Sequence, residues 1–305
     1  MNFVELLLPN FALIGGGYLI CRFTKLNRSV WTQVDAVVYY LFFPVLLFHA
    51  ITKTHIDVGS ASRLIAAGWL LAAATVALAM SAPHWPWLGS RINRRDHAAS
   101  AQVGFRFNSF IALGIVGQAM GDEGMLLLGV LIGVCVPVFN MAAVWSMARH
   151  GNTNLLSQLK RNPLVWATTL GLAFNLMGLE TPQWLQPTLS RLGQAGLVLG
   201  LMAAGAGMQL MDLKQAKTLA LAMLTVRHLG APLVAAILVM ILSLPPLEAK
   251  VLLIFAAVPT ASSCYVLAAA MGYNGGLVAA LVTLSTLAAL ASLPFSLGVL
   301  LPWVT

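Results

Sequence analysis

Long uninterrupted apolar runs are the feature that most limits what this chain can fold into. Hydrophobic residues make up 59% of its 305 residues, and charged residues make up only 9%. A soluble domain carries roughly a quarter charged residues, because its surface must face water. The apolar runs are continuous rather than alternating, so they predict spanning helices and not the strands of a barrel. The chain is therefore predicted to be an all-α integral membrane protein.

The apolar runs divide into ten candidate transmembrane helices. A helix crosses the bilayer core with about 20 apolar residues. The candidate spans lie near residues 3–22, 30–50, 62–82, 98–120, 124–148, 163–179, 190–211, 217–243, 249–272 and 276–301. The fourth span is interrupted by polar residues, and the interval 181–191, which contains two prolines, is predicted to be a loop.

The basic residues predict an orientation, because Lys and Arg collect in cytoplasmic loops. The loops after spans one, three, five and seven hold eleven Lys and Arg, whereas the loops on the opposite side hold four. The protein is therefore predicted to be a multi-pass membrane protein with both termini outside the cytoplasm. The same bias explains the net charge of +8, so nucleic-acid binding is not expected. The N-terminal helix is expected to stay, since it lacks the basic start of a cleaved signal peptide.

Metal and redox chemistry have little support in the sequence. Cys21, Cys135 and Cys264 are an odd number and have no metal-ligand spacing, so no disulfide, metal or cofactor is expected. An intramembrane enzyme would need a nucleophile and a base. The sole imaginable pair is His228 with Ser262 or Ser263, and neither G-x-S-x-G nor H-E-x-x-H occurs.

An internal repeat divides the chain into halves. The motif A-M-G-x-x-G occurs at 119–124 and again at 270–275, an offset of 151 residues. Five spans per half is an odd number, so the halves must have opposite orientations in the membrane. This predicts a first five-helix repeat (1–150), a cytoplasmic connector (151–162) and an inverted second repeat (163–305). Inverted repeats are typical of secondary transporters, and broken helices in matching positions indicate the substrate site.

Two such breaks are predicted, in the fourth and ninth spans. Asn108 and Ser109 align with Pro259 and Thr260 at the same offset. Proline removes a helical hydrogen bond, and both positions lie about 15 Å from the face at which their spans begin, near the midplane. Half-helix N-termini offer N–H groups and partial positive charge to an anion. The alternative is that these polar side chains only pack between helices. The candidate site residues of the ninth span are Pro259, Thr260, Ser262, Ser263 and Tyr265.

Three basic residues lie inside spans, and each has two interpretations. Arg106 either reaches the inner membrane surface with its long side chain or binds an anionic substrate. Arg227 either bonds to backbone carbonyls at a helix break or contacts the substrate. His228 either carries a coupling proton or is a hydrogen-bonded packing residue. Asp35 is the one carboxylate well inside a span, and it lies near the cytoplasmic side.

Other polar and small residues are predicted to pack helices together. Asn140 and Asn175 are expected to bond neighbouring helices rather than substrate. The run G-L-M-A-A-G-A-G at 200–207 permits close helix approach within the chain or in a homodimer.

The chain resembles the auxin efflux carrier (AEC) family. The resemblance is carried by R-F-N-S-F-I-A-L-G (106–114), V-P-V-F-N (136–140), R-H-L-G-A-P (227–232), V-P-T-A-S-S-C-Y-V-L-A (258–268) and L-S-T-L-A-A-L-A-S-L-P (284–294). It implies ten helices as two inverted five-helix repeats, with broken helices 4 and 9 crossing at Asn108 and Pro259. It also implies a scaffold domain from helices 1, 2, 6 and 7 and a transport domain from helices 3–5 and 8–10, with elevator-like movement. One departure is the absence of proline from residues 110–117, where Gly114 is the flexible residue.

The resemblance implies a carrier for a small organic anion. Bacterial relatives are described as malonate permeases and plant relatives export auxin, so a carboxylate or a dicarboxylate such as malonate is expected. The sequence leaves open an auxin-like aromatic carboxylate, a channel mechanism, and coupling to H+ or to Na+, which broken-helix carbonyls can hold.

Overall fold

The computed structural model describes residues 3–52, 62–86, 88–149, 163–208, 216–261 and 263–304. These residues form helices joined by turns, and none of them is in a strand. The predicted all-α class is therefore confirmed. Two predictions, the cytoplasmic connector 151–162 and the site residue Ser262, lie outside the described residues.

The described residues of the first half of the chain form six α-helices. A π-helical turn, Val38–Phe42, joins α2 to α3 into one continuous rod. Asn27 and Asn93 cap the starts of α2 and α5 by accepting hydrogen bonds from backbone N–H groups. The helices are α1 (Phe3–Phe23), α2 (Arg28–Val37), α3 (Phe43–Thr52), α4 (Ser62–Ser81), α5 (Arg94–Phe105) and α6 (Ser109–Ala148).

The second half contains shorter helical pieces. Its helices are α7 (Pro163–Leu176), α8 (Gln186–Ala206), α9 (Lys217–Thr225), α10 (Ala231–Leu242), α11 (Pro246–Ala257), α12 (Ser263–Ala270), α13 (Gly275–Phe295) and α14 (Leu301–Val304). π-helical turns Val226–Gly230 and Ser296–Leu300 connect α9 to α10 and α13 to α14.

The loop predicted at 181–191 is shorter than expected. Helix α8 already begins at Gln186, with a proline in its first turn. A proline is tolerated there because the first-turn N–H groups have no partner within the helix. The sequence prediction was wrong for residues 186–191, since it treated Pro187 as a breaker.

Length and composition allow five helical stretches of the described residues to cross a membrane. They are Arg28–Leu46, Ser62–His84, Glu123–Ala148, Lys217–Leu242 and Gly275–Val304. Shorter apolar helices occur at Phe11–Phe23 and Ile111–Gly121. These stretches support a multi-pass membrane protein, and the count of ten spans in two inverted repeats stays a prediction.

The helices pack into two groups. In the first group α1 packs on α8, and α3 packs on α7 and α8. Gly17 and Gly205 bring α1 and α8 together: a methyl group on either would overlap the backbone carbonyl of Met202 or of Ile14. In the second group α4 packs on α5, α6 and α10, while α6 also packs on α11. The glycine-rich run 200–207 is thus used for packing within the chain.

Two turns share the glycine of the A-M-G-x-x-G motif. Gly121 has φ of 61° and Gly272 has φ of 77°, a left-handed conformation that only glycine adopts without strain. Gly121 lies at the bend in α6 between the predicted fourth and fifth spans. Gly272 lies in the turn between α12 and α13. The motif therefore marks the same backbone requirement 151 residues apart, which supports the internal repeat.

Candidate functional site

The two helix breaks lie in direct contact. Helix α5 ends at Phe105 and α6 begins at Ser109, while α11 ends at Ala257 and α12 begins at Ser263. Arg106 and Val258, which directly follow α5 and α11, have extended backbone, and the N–H of Asn108 donates to the carbonyl of Pro259 over 2.8 Å. The contact brings the ends of four half-helices to one point.

Asn108 also caps the half-helix that follows it. Its Oδ1 accepts a hydrogen bond from the N–H of Ile111 over 3.2 Å, and both Asn108 and Ser109 are buried. A capping side chain satisfies one first-turn donor of α6. Asn108 therefore holds the break in shape and at the same time lines a cavity beside it.

Two adjoining cavities flank the contact between the breaks. The first is lined by Tyr39, Asn108, Ser109, Ser263 and Tyr265, among others, and also by Asp35. The second is lined by Arg106, Asn140, Ser109 and Ser263 together with apolar side chains. The first cavity has a volume of about 30 Å³, counted as the space open to the centre of a water molecule. This space is large enough for water but not for an organic molecule, which would need neighbouring helices to move.

Arg106 presents a buried cation to the second cavity. Its side chain is 5% exposed, and its guanidinium donates to Gln102 Oε1 over 2.8 Å and to Ser263 Oγ over 3.0 Å. Gln102 in turn donates to the carbonyl of Cys264 over 3.1 Å. No carboxylate of the described residues lies within ion-pair distance of Arg106. The side chain therefore points into the protein and not to the membrane surface, and α5 is joined to α12 through it.

Asn140 lines the second cavity, and sequence reasoning did not place it among the candidate site residues. It was predicted to bond a neighbouring helix, but its Nδ2 has no hydrogen-bond partner among the described residues. The side chain is 1% exposed and lines the second cavity with Arg106. A buried donor without a partner costs about 1–3 kcal/mol, and a ligand or a water molecule in the second cavity would offset this cost. Its position three residues after Pro137 inside α6 was the available signal.

Arg227 contacts carbonyls and not a cavity. It donates from Nε to the carbonyl of Val258 over 2.8 Å, and from Nη2 to those of Ala256 and Phe255 over 2.8 and 3.0 Å. Phe255 and Ala256 lie in the last turn of α11, where a helix leaves acceptors unpaired, and Val258 directly follows the helix. Of the two interpretations of Arg227, the structure favours bonding to backbone carbonyls at a helix break, where the side chain stabilises the ninth-span break.

His228 is enclosed by hydroxyl groups. Its Nδ1 lies 2.7 Å from Ser292 Oγ and its Nε2 lies 2.9 Å from Ser285 Oγ, which also accepts the N–H of Thr260 over 2.9 Å. Both ring nitrogens are therefore engaged on α13, and His228 lines neither cavity. Pro259 and Thr260 likewise form the break itself. Ser263 bonds to Arg106, so it is not paired with His228 as a nucleophile would be.

A wider third cavity, the vestibule, adjoins the first cavity. It is lined by Arg28, Thr32, Tyr40, Gly275 and Gly276, and it shares Asp35, Tyr39 and Tyr265 with the first cavity. The volume of the vestibule that is open to the centre of a water molecule is about 450 Å³. This is large enough for a small organic molecule.

Comparison with known proteins agrees with a transport role. Residues 146–297, just under half of the chain, match the family model described as Membrane transport protein. No curated protein matches the chain significantly. The family match supports the resemblance to auxin efflux carriers, and it covers the ninth-span break with Arg227, Ser263 and Tyr265. The second half of the chain is thus similar to a family of membrane transport proteins, and this similarity indicates that the protein is a membrane transporter.

Proposed function

We propose that the protein is a secondary carrier that moves a small organic anion, a carboxylate or a dicarboxylate such as malonate, across the bacterial inner membrane. The observation that carries this proposal is the second cavity, where the Arg106 guanidinium and the unpaired Asn140 amide are both donors. A buried cation without a carboxylate partner is unfavourable, so an anion that brings the countercharge is the complementary ligand.

The half-helices add to the same preference. Helices α6 and α12 begin at Ser109 and Ser263, and both residues line the first and second cavities. First-turn N–H groups and the helix dipole favour negative charge at these ends. The substrate's carboxylate would therefore contact Arg106, Asn140 and Ser263, with Asn108 and Ser109 at its side.

The packing of the helices supports an elevator-type movement. Helices α1, α2, α3, α7 and α8 would form the scaffold, and the remaining helices would carry the breaks as a transport domain. The first cavity lies between the groups, because Tyr39 and Gly200 come from the first group and Ser263 comes from the second. Sliding the second group along the first would expose the anion to either side of the membrane in turn.

Aromatic side chains favour a second candidate, an exporter of auxin-like aromatic carboxylates. Tyr39, Phe43 and Phe107 line the first cavity next to the donors. An aromatic ring would pack against them at favourable offset or edge geometry. Both candidates share the anion and differ in what it is attached to.

A thermal-shift panel on the detergent-solubilised protein separates these candidates. Malonate, succinate, acetate, indole-3-acetate and an uncharged amide control would each be added with and without sodium. A bound ligand raises the melting temperature by mass action. Stabilisation by the carboxylates and not by the amide supports the proposal, whereas a panel without any stabilising carboxylate contradicts it.

A further inference from the structure

Asp35 lies in the wall between the first cavity and the vestibule. Its side chain is 12% exposed and lines both spaces. Tyr265 donates its hydroxyl to Asp35 Oδ2 over 2.5 Å, and Arg28 donates from Nη2 to the same oxygen over 3.1 Å. We call these three side chains, Arg28, Asp35 and Tyr265, the latch.

The latch joins the two helix groups. Arg28 and Asp35 lie on α2, and Tyr265 is the third residue of the half-helix α12. Any movement of α12 along α2 must break the bond between Tyr265 and Asp35. A hydrogen bond to an ionised carboxylate is about twice as strong as a neutral one, so the charge on Asp35 decides how firmly the latch holds.

The charge on Asp35 also affects an anion in the first cavity. Two negative groups in one enclosed, poorly hydrated cavity repel each other strongly. A proton on Asp35 removes that repulsion and dissolves the ion pair with Arg28. The anion and the proton therefore favour each other's binding, and linkage requires the two effects to be equal.

The surroundings of Asp35 contain few other titratable groups among the described residues. Tyr39 and Tyr265 face it, Arg28 is its ion-pair partner, and Arg106 lies across the adjoining cavity. Helix α8 contributes only Gly200 and Ala203 to the first cavity, while Cys21 and Arg22 of α1 lie beside Arg28. Asp35 is therefore the acid in position to exchange protons with both cavities, whereas His228 is enclosed by serines.

We infer that Asp35 binds the coupling proton, so that the protein is a proton–anion symporter whose latch opens when Asp35 is neutral. The proton moves from water in the vestibule to the Asp35 carboxylate on loading, and it returns to water on the other side with the anion. This inference rests on the proposed function for its anion, but the opening of the latch does not depend on the anion's identity.

Latch opening is tested without any anion, by labelling a cysteine in the first cavity. Ala203 lines this cavity and not the vestibule, and it is 3% exposed. Ala203→Cys is made in a background where the three native cysteines are alanine, with and without Asp35→Asn. The rate of reaction with a small charged thiosulfonate is measured from about pH 8 to about pH 4, which is near the ordinary pKa of an aspartate. Comparison of the two proteins at each pH removes the intrinsic titration of the thiol, and Tyr265→Phe, which keeps the Asp35 charge, separates latch opening from the effect of that charge on the thiol.

With aspartate at position 35, labelling is expected to be on the order of tenfold slower at about pH 8 than with Asp35→Asn, and the difference should shrink markedly as the pH falls to about 4. Tyr265→Phe removes the donated hydrogen bond, so it should speed labelling at high pH, whereas Asp96→Asn, on α5, should change nothing. Equal rates at every pH, or a difference that persists unchanged at about pH 4, would overturn the inference.

Coupling to the anion is tested with malonate as the probe. Stabilisation by malonate should strengthen more steeply with falling pH in the parent protein than in Asp35→Asn. Malonate takes up protons over the same pH range with both proteins, so the difference between their two pH dependences reports the contribution of Asp35. Identical pH dependences contradict coupling at Asp35. A complete lack of stabilisation by malonate contradicts the proposed substrate and leaves the labelling result to decide on the latch.

Discussion

At the scale of single residues, two buried arginines have different surroundings. Both interrupt apolar runs, and from the sequence alone both were candidates for substrate contact. Arg227 is satisfied by three carbonyls of the α11 end, whereas Arg106 bonds to two neutral side chains at the edge of a cavity. Sequence reasoning could find the charges, but Ser263 lies 157 residues from Arg106, and the carbonyls that Arg227 contacts lie 28 to 31 residues from it. Depth in the membrane therefore did not separate the two roles.

Replacement of Arg227 should destabilise the empty protein. Arg227→Gln leaves carbonyls of the last turn of α11 without donors in a buried site, and we expect a loss of about 3 kcal/mol in the free energy of unfolding. Thermal unfolding in detergent measures the change. The matched variant Arg106→Gln should lower stability less, and equal losses for the two variants would contradict the different roles assigned to them.

Asn140 is expected to lower the stability of the empty protein and to strengthen carboxylate binding. Asn140→Leu removes a buried donor that has no described partner, so the empty protein should be about as stable as the parent or up to about 1–3 kcal/mol more stable. The same change should weaken carboxylate binding, because one donor of the second cavity is lost. Melting temperatures with and without the carboxylate measure both effects. A variant that is less stable but binds normally would contradict the assignment and favour the helix-packing role.

At the scale of helices, the breaks and turns were largely predictable from local chemistry. The proline of the ninth span and the polar run of the fourth indicated where helices end, and the A-M-G-x-x-G motif indicated where they turn. The start of α8 was missed because Pro187 was treated as a breaker, although a first turn accepts it. The capping bond in which Asn108 Oδ1 accepts the N–H of Ile111 was not predictable, because it depends on the path of the residues before α6.

The glycines of the repeated motif should resist substitution. Gly121→Ala and Gly272→Ala each force a side chain into a left-handed backbone conformation, which costs roughly 1–2 kcal/mol. Gly133→Ala in α6 is the control, since its added methyl group would meet only ordinary contacts with Ile51. Thermal unfolding should show lower melting temperatures for the first two variants. If the control is the most destabilised of the three, the backbone requirement is not the reason for the repeat.

At the scale of the whole molecule, the helices pack in two groups, and the division into a scaffold domain and a transport domain stays a prediction. The apolar runs predicted the helices, and the alternating Lys and Arg content of the loops predicted their orientation. The family resemblance implied how the helices are grouped. Glycine contacts between α1 and α8 hold the first group together, and the ring contact between Phe107 and Phe255, with centroids 4.1 Å apart, joins the two breaks in the second. The donor-lined cavities and the Asp35 latch arise only when these groups are assembled, so no local pattern could predict them.

The central claim, an anion carrier that binds its substrate at Arg106, is tested most directly by uptake into proteoliposomes. Radiolabelled malonate, or the carboxylate that stabilises the protein most in the thermal-shift panel, is offered to vesicles with the parent protein, Arg106→Gln or Arg191→Gln. The last variant removes an equal charge from an exposed position of α8. We predict saturable uptake by the parent and by Arg191→Gln, and a loss on the order of a hundredfold with Arg106→Gln, because a buried charge-assisted contact is removed. Uptake that is unchanged in Arg106→Gln would contradict the account.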